Sequence, residues 1–216
     1  MVAQISERKK KRLEQREKRF NRITQIKPVK QTFLIICEGE NTEPDYFNAF
    51  RLTSAHVKAI GEGHNTLSLV QRAIEIKSKE ASLGKKYNQY WVVFDKDDFD
   101  ASDFNSAILS AKAAGFKVAY SNQAFEFWFI LHFALRHGGL HRNDYAAILS
   151  GHLGFPYVKE SRISKKMFNA LLPLQSTAIN NSIAVYDSFV APHESPATEY
   201  SSTTVHELVV ELNKFL

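Results

Sequence analysis

Residues 31–43 read QTFLIICEGENTE. A short apolar run bounded by polar residues suits a buried parallel strand over 31–37. Three acids, Glu38, Glu40 and Glu43, follow at once. The same arrangement recurs downstream. YWVVF at 90–94 reads as a second apolar strand, and it runs into Asp95, Asp97, Asp98 and Asp100. Between and beyond these runs the chain alternates. A helix is expected over 43–52, with Pro44 in its first turn. A strand is expected near 56–60. Leu67, Leu69, Val70, Ala73 and Ile74 mark an amphipathic helix over 66–81, entered past Gly61 and Gly63, with Asn65 available as its cap. A helix over 102–114 closes at Gly115, and FKVAY (116–120) supplies another strand. This β–α–β–α–β–α–β rhythm predicts an α/β fold: an open, mostly parallel sheet with helices on both faces.

Past residue 124 the pattern changes. AFEFWFILHF (124–133) is apolar on nearly every side and reads as a buried helix. Further helices are expected at 142–150, 162–172 and 203–215, and AVYDSFVAPHESPATEYSST (184–203), with its two prolines, reads as a loop. The expected division is a basic N-terminal arm over 1–30, an α/β core over 31–135, and a helical C-terminal extension over 136–216 packed on that core.

The chain of 216 residues carries a formal net charge of +5, unevenly spread. Residues 1–30 hold 11 Lys/Arg against 3 Asp/Glu, and the remaining 186 hold 17 against 20. The basic character belongs to the N-terminus, and the body is mildly acidic. SERKKKRLEQREKRFNRI (6–23) is too polar to bury a core of its own. Either it is an arm that meets nucleic-acid phosphate through Lys9, Lys10, Lys11, Arg12, Arg16 and Arg19, or it is a solvated tail or a handle for a partner. The lone cysteine, Cys37, excludes a disulfide framework and sits where a core thiol is expected. No run approaches a membrane span, and no signal-peptide core follows the basic segment. A reducing cytoplasm is the expected setting.

Open α/β sheets place their sites at the carboxyl ends of strands. Both acidic clusters, CEGENTE (37–43) and FDKDDFD (94–100), fall at such ends. Carboxylates converging on one edge repel unless protons or cations intervene. Mg²⁺ and Mn²⁺ favour such oxygen ligands. Strand alternation puts Asp95 and Asp97 on one side with Lys96 pointing away. Glu38 closes the opposite strand, and Gly39 permits close approach. Asp98 and Asp100 are weaker candidates, each able to cap the following helix. Glu126, set in the apolar stretch, needs a partner: a metal, a group around the metal, or Asn122. The competing expectation for Glu126 is a first-turn glutamate favoured by the helix dipole. His132 reads as a hydrogen-bonded core histidine. RHGGLHR (136–142) reads as a solvated loop, with phosphate contact as the alternative. No Walker-type Gly-Lys-Ser/Thr loop, CxxC or HExxH pattern is present.

FLIICEGENTEPDYF (33–47), VVFDKDDF (92–99) and SNQAFEFWFILHF (121–133) together resemble the RloB-like family of bacterial defence-associated proteins. The late SPATEYSSTTVHELVVEL (195–212) is similar to that family's closing helix. The family is in turn similar to the Toprim fold of primases, topoisomerases and overcoming-lysogenization-defect nucleases. The resemblance implies a Toprim-like, Rossmann-like core. It implies Glu38 as general acid/base or metal ligand, and Asp95 and Asp97 as metal ligands. Glu43 matches the second acid of the opening motif, and Glu126 an acid after the last core strand. Asn122 and Lys96 would stand around the metal. One departure is local: many Toprim sequences follow the Asp pair with glycine, whereas Asp98-Phe99-Asp100 follows here. The resemblance also implies phage defence beside a partner ATPase.

The expected function is Mg²⁺-dependent hydrolysis of nucleic-acid phosphodiesters, with Mn²⁺ as a substitute ion and Glu38, Asp95 and Asp97 as catalytic residues. The alternative is a non-catalytic subunit that binds nucleic acid or a partner and works with an ATPase. DNA or RNA as substrate, and association of the chain with its own copies, are left open by the residues.

Overall fold

The computed structural model describes Lys11 and residues 31–53, 55–63, 66–189 and 195–216, the side chains of 161–165 excepted. Among the expected arm contacts, Lys11 is helical and exposed. Lys9, Lys10, Arg12, Arg16 and Arg19, like the cap expected at Asn65, lie outside the described residues.

Among the described residues four strands form one sheet: β1 (Gln31–Cys37), β2 (Ala55–Gly61), β3 (Gln89–Asp95) and β4 (Lys117–Ser121). Their order is β2-β1-β3-β4, and every pairing is parallel. The pleat divides the apolar runs between two cores. Phe33, Ile35, Cys37, Trp91, Val93 and Ala119 face one side, while Leu34, Ile36, Val92, Phe94, Val118 and Tyr120 face the other. Both faces are covered, which is why the strands read as continuous apolar runs rather than alternating ones.

Helix α1 (Thr42–Asn48) follows β1 on the first face. Helices α2 (Thr66–Ser82) and α3 (Ala101–Ala113) cover the second face through Leu69, Val70, Ala73, Phe104, Ala107 and Ile108. Asp100 caps α3 by accepting from the Ser102 amide at 2.7 Å. The remaining helices return to the first face: α4 (Glu126–Ile130), α5 (Tyr145–Leu153), α6 (Ser161–Leu171), α7 (Gln175–Tyr186) and α8 (Val205–Asn213). Helices α5 to α8 therefore complete the core on the first face, while Ala197 joins the core on the second.

Two expectations change here. AFEFWFILHF is buried from Ala124 to His132 and half-buried at Phe133, but only Glu126–Ile130 is regular helix. Helix α7 has no counterpart in the expected elements, and it runs into the start of the stretch read as loop. Its sequence, QSTAINNSIAVY, is rich in Ser, Thr and Asn, which favour helices weakly. Burial of Gln175, Ala178, Ser182 and Val185 stabilises it instead. Among the described residues no helix is long and apolar enough to cross a membrane.

The strand order locates the site. The chain leaves β1 toward one face, into α1, and leaves β3 toward the other, into α3. The crevice between the carboxyl ends of β1 and β3 is the topological switch point, where open α/β sheets take ligands.

Candidate functional site

Glu38 and Asp95 meet at that crevice. The Glu38 amide still pairs with the Val93 carbonyl at 2.9 Å, and its Oε2 accepts from the Asp95 amide at 2.9 Å. Burial pushes the Glu38 carboxyl up to about 7, reinforced by Asp97 and Glu43 and opposed by the Asp95 amide. Asp95 Oδ2 accepts from the Phe125 amide at 3.0 Å. Its Oδ1 is buried and has no hydrogen-bond partner. Burial raises the Asp95 carboxyl well above the usual range, and the charges of Glu43, Glu126, Asp97 and Glu38 add to the rise.

Glu43 is buried in the first turn of α1. Its Oε1 accepts from the Gly39 amide at 3.3 Å. A β-carbon at residue 39 would stand 2.2 Å from Glu43 Oε2, so only glycine lets that carboxylate lie where it does. Burial raises the Glu43 carboxyl too, with Glu126 adding and Lys159 opposing.

The pleat expected to align Asp95 with Asp97 stops at Asp95, where β3 ends. Asp97 takes a left-handed backbone, φ 47°, and turns the chain. It still lines the same cleft of about 350 Å³ as Glu38, Glu43 and Asp95. Its Oδ1 accepts from Arg142 Nη1, and Asp98 Oδ2 accepts from Arg142 Nη2. One guanidinium thus spans both aspartates. Lys96 turns to its own loop, donating to the Phe99 carbonyl at 3.0 Å, and does not line the cleft.

Glu126 is buried, as a carboxylate on an apolar stretch should not be without partners. Those partners are Tyr157, whose hydroxyl donates to Oε1 at 2.8 Å, and Lys159, whose Nζ lies 2.9 Å from the same oxygen. Asn122 is not among them. Its amide donates to the Pro196 and Ala197 carbonyls and ties the loop after β4 to the segment before α8. His132 is a core histidine, as expected: Nδ1 lies 3.0 Å from the Trp128 carbonyl, and burial lowers it to about 4. Cys37 is buried, with its thiol pushed up by that burial.

Reading the residues alone passes over Lys159 and Tyr157, which carry no local signal. It leaves Arg142 in a solvated loop, whereas Arg142 is half-buried and anchored through its amide to Gln123 Oε1 at 2.9 Å.

The donor set suits a hard divalent cation: every candidate is a carboxylate, one buried oxygen is orphaned, and the neighbours raise one another. The side chains as placed are not a finished coordination shell. Among the described residues no group of three or more His, Cys, Asp or Glu stands ready around one point. Arg142 and Lys159 neutralise part of the acid in its place.

No curated protein and no solved structure matches the chain. A family model described as RloB-like protein matches residues 33–212, and the chain belongs to that family.

Proposed function

We propose that this chain is a metal-dependent nuclease with a Toprim-like core, hydrolysing nucleic-acid phosphodiesters at the carboxyl ends of β1 and β3. The observation that carries the reading is the orphaned Asp95 Oδ1, buried beside Glu38, Glu43, Asp97 and Glu126. A buried carboxylate oxygen without a donor is costly, and a cation removes that cost. Asp95 and Asp97, with Glu38, would hold Mg²⁺ or Mn²⁺, and Glu43 and Glu126 would support them. When bound, the ion supplies charge neutralisation at the phosphoryl oxygens.

The chain's own groups do the rest. The Phe125 amide fixes one oxygen of Asp95 and leaves the other buried without a donor. In the ion-free protein Glu38 is held by the Asp95 amide with its carboxyl raised to about 7, so it releases a proton near neutral pH as the ion binds. For Asp97 to hold the ion, Arg142 would have to release it. The basic arm would hold the strand by phosphate contacts without reading its sequence.

The test is cleavage of labelled single- and double-stranded DNA and RNA by full-length protein in Mg²⁺, Mn²⁺ and EDTA. Cleavage of at least one substrate that needs the ion, and that Asp95→Asn abolishes, is expected. Undiminished cleavage by the Asp95→Asn/Asp97→Asn double variant overturns the reading.

A second reading is favoured by one observation: Arg142 and Lys159 already neutralise the acids without a metal. In it the chain is a binding subunit for nucleic acid or for a partner ATPase, in phage defence. Inertness with every substrate, alongside retained nucleic-acid affinity that falls when residues 1–30 are deleted, would favour it.

A further inference from the structure

A second cleft adjoins the acidic one. It encloses about 390 Å³ and shares Asp97 and Lys159 with its neighbour, so these two residues stand on the ridge between them. Its charged lining is balanced, Arg142 and Lys159 against Asp97 and Glu126, with the Asn143 amide beside them. Tyr157, Val158 and Ala146 give it an apolar wall. Convergent polar groups over an apolar surface suit a small organic ligand better than a bare ion, and the volume is that of a compact ligand site.

Arg142 is the residue that makes this cleft unusual. Its backbone is pinned by Gln123, whose own φ of 86° is a left-handed conformation rarely held by a non-glycine residue. Its guanidinium, in contrast, rests on Asp98, whose side chain is 85% exposed, and on Asp97, which is 39% exposed. Ion pairs this open to water hold weakly. A guanidinium fork matches a phosphate as well as it matches carboxylates. The arrangement is a fixed base carrying a releasable cation at the mouth of a cavity.

We propose that the Arg142–Lys159 cleft is a nucleotide subsite, taking a phosphate and its sugar from a nucleic-acid strand, with Arg142 leaving Asp97 and Asp98 to bind the phosphate. The choice of nucleic acid as substrate class rests on the hydrolytic reading above. In the free protein Arg142 masks the aspartates, and substrate unmasks them by drawing it away. Phosphate binding and exposure of Asp97 are then one movement.

The test is titration calorimetry on full-length protein in EDTA, with thymidine 3′,5′-bisphosphate and with inorganic phosphate as probes. The nucleotide should bind about tenfold more tightly than phosphate, the difference expected from the added sugar and apolar contacts. Arg142→Gln should weaken the nucleotide about tenfold or more, the worth of a charge-assisted bond. Asp98→Asn should tighten it by about two- to fivefold, because it removes a weak competitor for the guanidinium. Glu40→Gln, which takes the same charge from the rim of the other cleft, should tighten it less. The proposal is overturned if Arg142→Gln and Asp98→Asn act in the same direction, as loss of a purely structural clamp would make them. It is equally overturned if Arg142→Gln changes nothing, if Glu40→Gln matches Asp98→Asn, or if the nucleotide binds no better than phosphate. Because these readouts need no metal, they separate from the cleavage assay. Expected binding without any cleavage leaves the subsite and removes the nuclease. Asp95-dependent cleavage with binding indifferent to Arg142 does the reverse.

Discussion

Two covered glutamates at different places in the fold are treated in opposite ways. Glu80, near the end of α2, is buried with the Lys58 ammonium 2.8 Å away, the Tyr87 hydroxyl donating at 2.7 Å, and Lys85 at 3.7 Å. These partners, the Lys58 hydrogen bond first, hold its carboxyl down at about 2. Glu38, at the carboxyl end of β1, accepts from the Asp95 backbone amide and has other acids as neighbours, and burial raises its carboxyl to about 7. The first glutamate is finished by the fold. The second is left in a state that a cation or a proton must complete. Perturbation by desolvation and like charge in a crevice marks a functional site, whereas perturbation by satisfied partners marks a structural one.

The largest effect is expected at the acidic end: Asp95→Asn should lower metal-dependent cleavage by about 100-fold or more, as expected for loss of a group that places charge on the reacting centre. Its melting temperature without metal should rise or hold, since a neutral amide replaces an acid whose ionised form burial and its neighbours disfavour. A fall in stability with unchanged cleavage would make Asp95 structural, like Glu80. Next in size, Glu80→Gln should lower the melting temperature by several degrees and leave cleavage intact, because it removes charge from a satisfied network. Activity lost in step with stability there would erase the contrast.

The pH dependences should oppose each other. Glu38, raised in the folded state, binds a proton that the unfolded chain has already released above its ordinary value of 4.5. Stability in EDTA should therefore fall as pH rises from about 4.5 to about 7, and Glu38→Gln should flatten that fall. Glu80 is depressed, so its contribution is present above 4.5 and is lost as pH falls toward about 2. Glu80→Gln should flatten that second limb. Melting curves of the three proteins across both windows check the signs. The smallest change is expected from Gly39→Ala. The added methyl displaces the Glu43 carboxylate, which should weaken Mn²⁺ binding by about threefold to tenfold with little effect on the melting temperature. Unchanged Mn²⁺ affinity would remove Glu43 from the site.

The sheet was legible because its signals are local. Apolar runs at 31–37, 90–94 and 116–120 identify strands by length and boundary, and the helices between them identify parallel pairing. Helix α7 was not legible, because its residues prefer no helix and its stability comes from surfaces supplied by other elements. The site divides along the same line. Acids at two strand ends can be found by reading along the chain, and their meeting follows from parallel topology. Asp97 shows the limit of that reading, since the pleat on which it was placed ends two residues earlier.

By itself, then, the sequence determined four strands in a mostly parallel sheet and the acids at its rim, since hydrophobic period and strand-end position depend only on neighbours along the chain. The tertiary structure alone decided which cations answer those acids. Arg142 reaches Asp97 and Lys159 reaches Glu126 from later segments of the chain. An ion pair depends on distance in space, and no spacing in sequence encodes that until the chain has folded back on itself.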